Sequence, residues 1–440
     1  MSRIIFRGGR VLDPANGIDA DLELLVEHGV ISGLFPPDHP VLGVSRTDKV
    51  IDAKGLWVLP GFVDPHVHLR QPGMTEAEDV ASGTMAAAAG GYTTIVCMPN
   101  TIPVLDDPSV VRDLLSVLEQ DASIQVKIAA ALSLGLRGQE TTDLYALLDS
   151  GAFCWSDDGK GTANPEVMAE VLKVSEKLGR PVLVHAEDHG LSGNGVMRAG
   201  PVAKRLGLEG IISTSETVRV RRDIRLQRRF GGKLHFQHLS TRGSIEAVRR
   251  AKKRRQSVTC EVTPHHLLLT DLDLEKSGGP DGPNPNFKMN PPLGRPNQQR
   301  ALWNALVDGT IDAIGTDHAP HSKAAKGKGF NAAPFGVIGL ETSFALLMRL
   351  VKHGVLDLYR ALELLTIGPA KVLGIEGGTL SKGSRADVCL VDPGLRWRVD
   401  ENFFASKSFN TPFAGWVLDG RPVLLMAGGK VVWELANDGG

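Results

Sequence analysis

Short, almost wholly apolar runs recur along the middle of the chain, each turning polar at its C-terminal end and each followed by an amphipathic stretch. Eight of them read as strands: WVLPGFVDPHVHLR, TTIVCMPN, IQVKIAAAL, AFCWSDDG, PVLVHAED, KLHFQHLS, SVTCEVTPHH and IDAIGTDHAPH. Continuous rather than alternating hydrophobicity marks strands buried on both faces, as in a parallel sheet. Between them the spacing predicts helices over 75–89, 108–120, 164–178, 216–230, 244–255, 297–306 and 340–353. Gly90-Gly91 and Gly179 serve as stops, and Asp107 ahead of Pro108 serves as a cap. Eight such strands, seven of them followed by a helix, predict a closed (β/α)8 barrel of the TIM type rather than an open sheet.

The two ends have a different texture. Residues 1–59 (IIFRGGRVLD, LELLVEHGVISGL, KVIDAKGLWVL) and 371–440 (GTLSKGSRADVCLVDP, PVLLMAGGKVVWE) are short strands punctuated by glycine turns. They predict one small β-sandwich domain formed by both terminal segments, beside a catalytic barrel at 60–370. With 440 residues, 42% hydrophobic and 22% charged, the chain has material for a large core. A formal net charge of −1 gives no general pull toward nucleic acid or anionic membrane. No apolar run reaches the roughly 18 residues of a membrane span, and the first residues lack a leader-like apolar stretch. The expectation is a soluble, cytoplasmic protein. Cys97, Cys154, Cys260 and Cys389 lie far apart in apolar runs, as buried thiols do. Two basic stretches, RVRRDIRLQRR at 219–229 and RRAKKRR at 249–255, fall on predicted helices. They read as solvated outer faces, with a docking surface for an acidic partner as the alternative.

Polar residues gather at the C-terminal ends of the strands, the rim where barrels of this kind carry their chemistry. Strand 1 ends in Asp64-Pro65-His66-Val67-His68-Leu69-Arg70. His66 and His68, two apart, point to the same side and can converge on one ion. Strands 5 and 6 add His185 and His238, with His235 deeper on strand 6 and read as packing. Strand 4 ends in Ser156-Asp157-Asp158-Gly159, where a carboxylate could bridge two divalent ions, and strand 8 places Asp317 in GTDHAPH. Four imidazoles and two carboxylates suffice for two ions, which lower the pKa of bound water to about 7 and polarise a carbonyl. Arg70, Asn100, Asn290 and His321 could hold substrate, and Arg70 points to an acidic one.

With these motifs the chain resembles the amidohydrolase superfamily, and more closely its dihydroorotases of the long, bacterial class I type. LPGFVDPHVHLRQPG, GGYTTIVCMPNT, SDDG, EVTPHHLLLTD, FKMNPPL, AIGTDHAPH and PFGVIGLET carry the resemblance over nearly the whole chain. It implies that His66, His68, Asp158 and Asp317 hold one zinc ion, and that Asp158 shares a second with His185 and His238. Asp157 is then a structural neighbour. The resemblance makes Asp317 the catalytic acid/base and makes Arg70, Asn100, Asn290, His321 and the backbone at Phe335-Gly336 the substrate contacts. The implied activity is reversible cyclisation of N-carbamoyl-L-aspartate to L-dihydroorotate, an early step of pyrimidine synthesis. Allantoinases and hydantoinases, the nearest alternative, usually carry a carboxylated lysine on strand 4, and none stands there in this chain. An inactive scaffold for aspartate transcarbamoylase is the remaining alternative, although every ligand is retained. For an active member the resemblance implies a homo-oligomer (a dimer), with that transcarbamoylase as a partner. Residues 322–333 (SKAAKGKGFNAA), just beyond the site, read as a lid or a plain loop.

Overall fold

The computed structural model describes residues 3–45, 47–279 and 282–436. Eight parallel strands stand side by side in chain order: β1 Phe62–Val67, β2 Tyr92–Cys97, β3 Gln125–Ala131, β4 Cys154–Ser156, β5 Pro181–Val184, β6 Lys233–Phe236, β7 Val258–Val262 and β8 Ala313–Ile314. Every residue of β1, β2, β4 and β5 is buried, which is why these runs carry no polar alternation.

The seam between β8 and β1 is closed by a different device. His68 N–H donates to His318 O at 2.9 Å just beyond the strand ends. Below it the Asp64 carboxylate takes the place of a backbone partner, accepting from Thr316 N at 3.2 Å and from the Thr316 hydroxyl at 2.5 Å. A side chain therefore completes the ladder, and β8 shrinks to two residues where the sequence predicts a longer run. Burial pushes the Asp64 carboxyl up to about 7, against the hydrogen bonds from Thr316 and His66.

The outer helices lie close to their predicted places. Asp107 caps Pro108–Asp121 by accepting from Ser109 N, Asn164 caps Pro165–Leu178, and Gly179 closes that helix in the left-handed conformation at φ 66°. The helix expected from residue 75 instead begins at Val80. Asp79 and Ser82 form a reciprocal capping box there, at 2.8 and 3.2 Å. The basic run on Thr214–Phe230 is only partly a solvated face. Arg219 pairs with Asp188 at 3.0 Å, and Arg222 donates to the carbonyls of Thr162 and Ala163. All four cysteines are buried and unpaired.

The terminal segments form two facing sheets. One is ordered Val30–Phe35, Glu23–Glu27, Ile4–Arg7, Lys49–Asp52. The other is ordered Lys430–Glu434, Val417–Ala427, Val388–Arg398, Trp57–Pro60, Arg10–Asp13, Ile18–Asp21. Phe6, Leu24 and Val26 from the first pack on Val58, Leu390 and Met426 from the second. Chain from both ends thus shares one core, as the glycine-punctuated texture suggests. Between Arg398 and Val417 the chain returns to the barrel mouth. There Asn410 accepts from His321 N at 3.1 Å and donates to Ala319 O and Gly336 O. No helix among the described residues is long and apolar enough to cross a membrane.

Candidate metal centre

Asp158, just past the end of β4, lies at the centre of the rim cluster. Its Oδ1 is 3.3 Å from His66 Nε2, 3.6 Å from His185 Nδ1 and 3.5 Å from His238 Nε2, and its Oδ2 is 3.4 Å from His68 Nε2. Asp317 Oδ1 is 3.5 Å from His66 Nε2 and 3.0 Å from His68 Nε2. Two groups of buried donors converge closely enough to share an ion: His66, His68 and Asp158; and Asp158, His185 and His238. All six residues named from the strand ends therefore meet at one place.

The hydrogen bonds behind the cluster show why a cation fits. Glu261 on β7, fully buried, accepts from His66 Nδ1 at 2.8 Å and from His235 Nε2 at 3.0 Å. With its proton on Nδ1, His66 turns the Nε2 lone pair toward the oxygens of Asp158 and Asp317. His66 Nε2 and Asp158 Oδ1 are both buried without a hydrogen-bond partner among the described residues. A lone pair facing carboxylate oxygens in a dry pocket is repulsive unless a proton or a cation lies between them. The titration behaviour agrees. Burial opposes charge on His66, but Asp158 and Asp317 outweigh it and raise its pKa well above the ordinary value. Burial likewise disfavours the Asp317 carboxylate, yet His66, His68 and His238 hold its pKa below the usual range. His185, opposed by burial but bonded to Asp158 and Glu187, is pushed up to about 10. Imidazole and carboxylate donors in this number suit zinc or a similar divalent ion.

Backbone strain collects here as well. Arg70, His238 and Asp317 hold φ at 60°, 33° and 49°, left-handed values that non-glycine residues adopt only when their surroundings impose them. All three lie just past a strand end, where the chain turns its side chain toward the rim.

Above the cluster is a cavity of about 190 Å³ lined by Arg70, Asn100, Asn290, His321, Phe335 and Gly336 together with the donor residues. His66 alone of the predicted residues is absent from its wall, because it lies fully buried beneath. Arg70 is buried and pairs with no carboxylate within 4 Å among the described residues, while its Nε donates to Pro320 O at 3.0 Å. Burial lowers its pKa to about 10, against the pull of Asp317 and Asp158, so it remains a cation at neutral pH. Asn100 Oδ1 meets His68 Nδ1 at 2.9 Å, and Asn290 Nδ2 donates to Glu187 at 2.8 Å. His321 is kept neutral, its pKa lowered to about 3 by burial and by the nearby Arg70 and Lys326. The Phe335 carbonyl, the Gly336 amide and the Gly336 carbonyl already have partners in His321, Lys288 and Asn410. Gly336 has φ 134°, and a Cβ there would lie 2.8 Å from that of Ala319, so only glycine lets the two segments meet.

Several supporting groups have no place in the sequence reading: Glu261, Glu187, Asp64 and Asn410. His235, read there as packing, is bound by its ring nitrogens to Glu261 and to Thr259 Oγ1 at 2.9 Å. Asp157 is a structural neighbour, accepting from Leu132 N and Ser133 N at 3.1 and 3.0 Å. Ser322 caps Lys323–Lys326, and the Lys326 ammonium donates to the carbonyls of Pro285, Lys288 and Pro334.

A parallel barrel with a ring of histidines and aspartates on its C-terminal rim defines a class, and the comparisons agree with it. The chain belongs to the amidohydrolase family, whose model matches residues 57–432. Within that family it is similar along its length to dihydroorotases. It is 43% identical over 436 residues to one from a Geobacillus species, covering 99% of this chain and 100% of that protein. It is 44% identical over 436 residues to one from Anaeromyxobacter dehalogenans, covering 99% of each. Among solved structures it resembles the L-hydantoinase (dihydropyrimidinase) of Arthrobacter aurescens, with a TM-score of 0.86 and 26% identity over 99% of this chain and 97% of that one.

Proposed function

We propose that the protein is a dihydroorotase, a cyclic amide hydrolase that interconverts N-carbamoyl-L-aspartate and L-dihydroorotate in de novo pyrimidine synthesis. The observation that carries the reading is Arg70, a buried guanidinium without a carboxylate partner among the described residues, on the wall of the cavity above the histidine–aspartate cluster. A neutral ureide offers that cation only carbonyl oxygens, whereas the carboxylate of dihydroorotate also supplies the opposite charge. The full-length likeness to dihydroorotases supports the same substrate.

His66, His68, Asp158 and Asp317 would hold one zinc ion, and Asp158, His185 and His238 the other. When bound, the ions acidify water and polarise the amide carbonyl. The rest falls to the chain. Arg70 and the Asn100 amide hold the substrate carboxylate and so fix the ring over the cluster. Asp317, ionised at neutral pH, takes the proton of the attacking water and delivers it to the ring nitrogen as the carbon–nitrogen bond breaks. In ring closure the same carboxylate removes the proton from that nitrogen and returns it to the departing water.

Our reading also divides the chain at 59/60 and 370/371 and gives a cytoplasmic homodimer. The exposed Arg221, Arg225, Arg228 and Arg229 would be the contact with an aspartate transcarbamoylase. Turnover of dihydroorotate, dihydrouracil, hydantoin and allantoin by the metal-loaded protein tests the substrate. Ring opening of dihydroorotate above the others is expected, and activity confined to hydantoin or allantoin would overturn the assignment.

A further inference from the structure

The two asparagines on the cavity wall do not present the same half of their amides. With Nε2 turned to the ion that His66, His68 and Asp158 would hold, His68 keeps its proton on Nδ1, so the atom meeting it at 2.9 Å is the Asn100 oxygen. The Asn100 NH2 group is left for the cavity, and a Cβ built on Gly159, another wall residue, would lie 3.1 Å from its Nδ2. Asn290 is fixed in the opposite sense. Its Nδ2 donates at 2.8 Å to Glu187 Oε2, which also accepts from His185 Nε2 at 3.0 Å. A carboxylate can only accept, so the Asn290 amide cannot turn over without setting its own oxygen against it. Asn290 Oδ1 has no hydrogen-bond partner among the described residues. One wall residue thus offers a donor and the other an acceptor, the first polarity set by a histidine of the cluster and the second by a carboxylate bonded to one.

We propose that Glu187 is a positioning residue that locks the Asn290 amide with its oxygen toward the cavity, so that the site selects substrates carrying an N–H at that place. The inference rests on the dihydroorotase reading for the identity of the substrate but not for the polarity of the wall. An N–H of the cyclic ureide, or of the carbamoyl group after ring opening, meets Asn290 Oδ1, while the substrate carboxylate meets Arg70 and the Asn100 NH2 group. A ligand without that N–H leaves the Asn290 oxygen unpaired in a partly buried wall, which costs roughly 10-fold or more in binding. Glu187→Ala removes the lock, because nothing then holds the Asn290 NH2 group and the amide can turn over, whereas Glu187→Gln keeps it, because the glutamine oxygen can replace Oε2 and accept from both His185 and Asn290.

The test uses inhibition constants of N1-methyl and N3-methyl dihydroorotate against dihydroorotate hydrolysis, with bound metal measured on every preparation. Wild type should bind one of the two methyl compounds at least about 10-fold more weakly than an N–H ligand of the same ring. In Glu187→Ala at saturating metal that ratio should fall to within about threefold of unity, and in Glu187→Gln it should stay near the wild-type value. Asn290→Ala should lose the discrimination too, and the double variant should lose no more than Asn290→Ala alone. Glu187→Ala with full discrimination overturns the proposal, since a steric clash with the methyl group or a role only in holding His185 would leave the ratio intact. Equal binding of both methyl compounds by wild type overturns it as well. A wild-type protein with bound metal but no dihydroorotate turnover would instead refute the substrate assignment, and the same ligands measured by direct binding would still test the wall polarity.

Discussion

Glu261→Gln isolates what the carboxylate behind His66 contributes. In the native protein that side chain accepts at 2.8 Å from His66 Nδ1 and at 3.0 Å from His235 Nε2. A glutamine of the same shape has one oxygen and one NH2 group, so only one imidazole can keep its present tautomer. His235 is the one able to yield. Its Nδ1 lies 2.9 Å from the Thr259 hydroxyl, which can accept as readily as donate. His235 can therefore move its proton to Nδ1 and accept from the new NH2 group, while His66 keeps Nδ1–H against the amide oxygen and its Nε2 lone pair toward the cluster. What is lost is charge assistance, about 1 kcal/mol for each of the two hydrogen bonds. The share falling on His66 corresponds to a loss of about fivefold in metal affinity. Glu261→Ala, which removes the support altogether, should cost about 10- to 100-fold. Titration of chelator-stripped protein against a metal-binding dye measures both. Turnover of the glutamine variant at saturating metal should return to within about threefold of wild type. Equal affinities for wild type and both variants, or a turnover deficit that excess metal does not repair, would refute the tautomer argument.

Asp317→Asn keeps an oxygen at Oδ1 but cannot carry the proton, so turnover should drop by about 10² to 10⁴ with bound metal retained. Near-normal rates in a steady-state assay would remove Asp317 from its role. Arg70→Lys replaces a planar fork that reaches Pro320 O and the cavity at once, and should raise KM for dihydroorotate about 10-fold while leaving kcat nearly unchanged. An unchanged KM would mean that the carboxylate binds elsewhere. Lys326 supplies a pH dependence: burial, with Lys288 and Arg70 nearby, lowers its pKa to about 7 from the ordinary 10.5. Between those values the folded chain has released a proton that the unfolded chain still holds, so stability from this group rises as pH goes from 7 to 10.5. Urea midpoints of wild type relative to Lys326→Met should therefore climb between pH 7 and pH 9.5, and a constant difference would contradict the assignment.

The rim was legible because parallel barrels leave a sequence record at each strand end. His66, His68, His185 and His238 all close apolar runs, and the fold brings those run ends together. The carboxylates beneath them are harder to see. Glu261 sits in VTCEV, where an acidic residue inside a mostly buried strand needs a buried partner, and that was the available signal. Which histidine it serves depends on the pairing of β1, β6 and β7 across the barrel, information that no local pattern holds. Glu187 follows His185 by two residues and reads as one more polar residue of a loop until Asn290, 103 positions later, is seen to donate to it. The short β8 has the same origin. Apolar periodicity extends through Gly315, but Thr316 takes its bond from the Asp64 side chain rather than from backbone. Asn410 lay furthest from view, because it reaches the barrel mouth from a segment between two strands of the terminal sheet.

Metal titration of chelator-stripped protein, with dihydroorotate ring opening followed at each ratio of bound ion to chain, tests the metal-centre reading most directly. Turnover should be absent in the stripped protein, appear on loading and level off at two ions per chain, with Asp158→Ala failing to reach that plateau. Full dihydroorotate turnover without bound metal, or saturating metal with no turnover of that substrate, would contradict it.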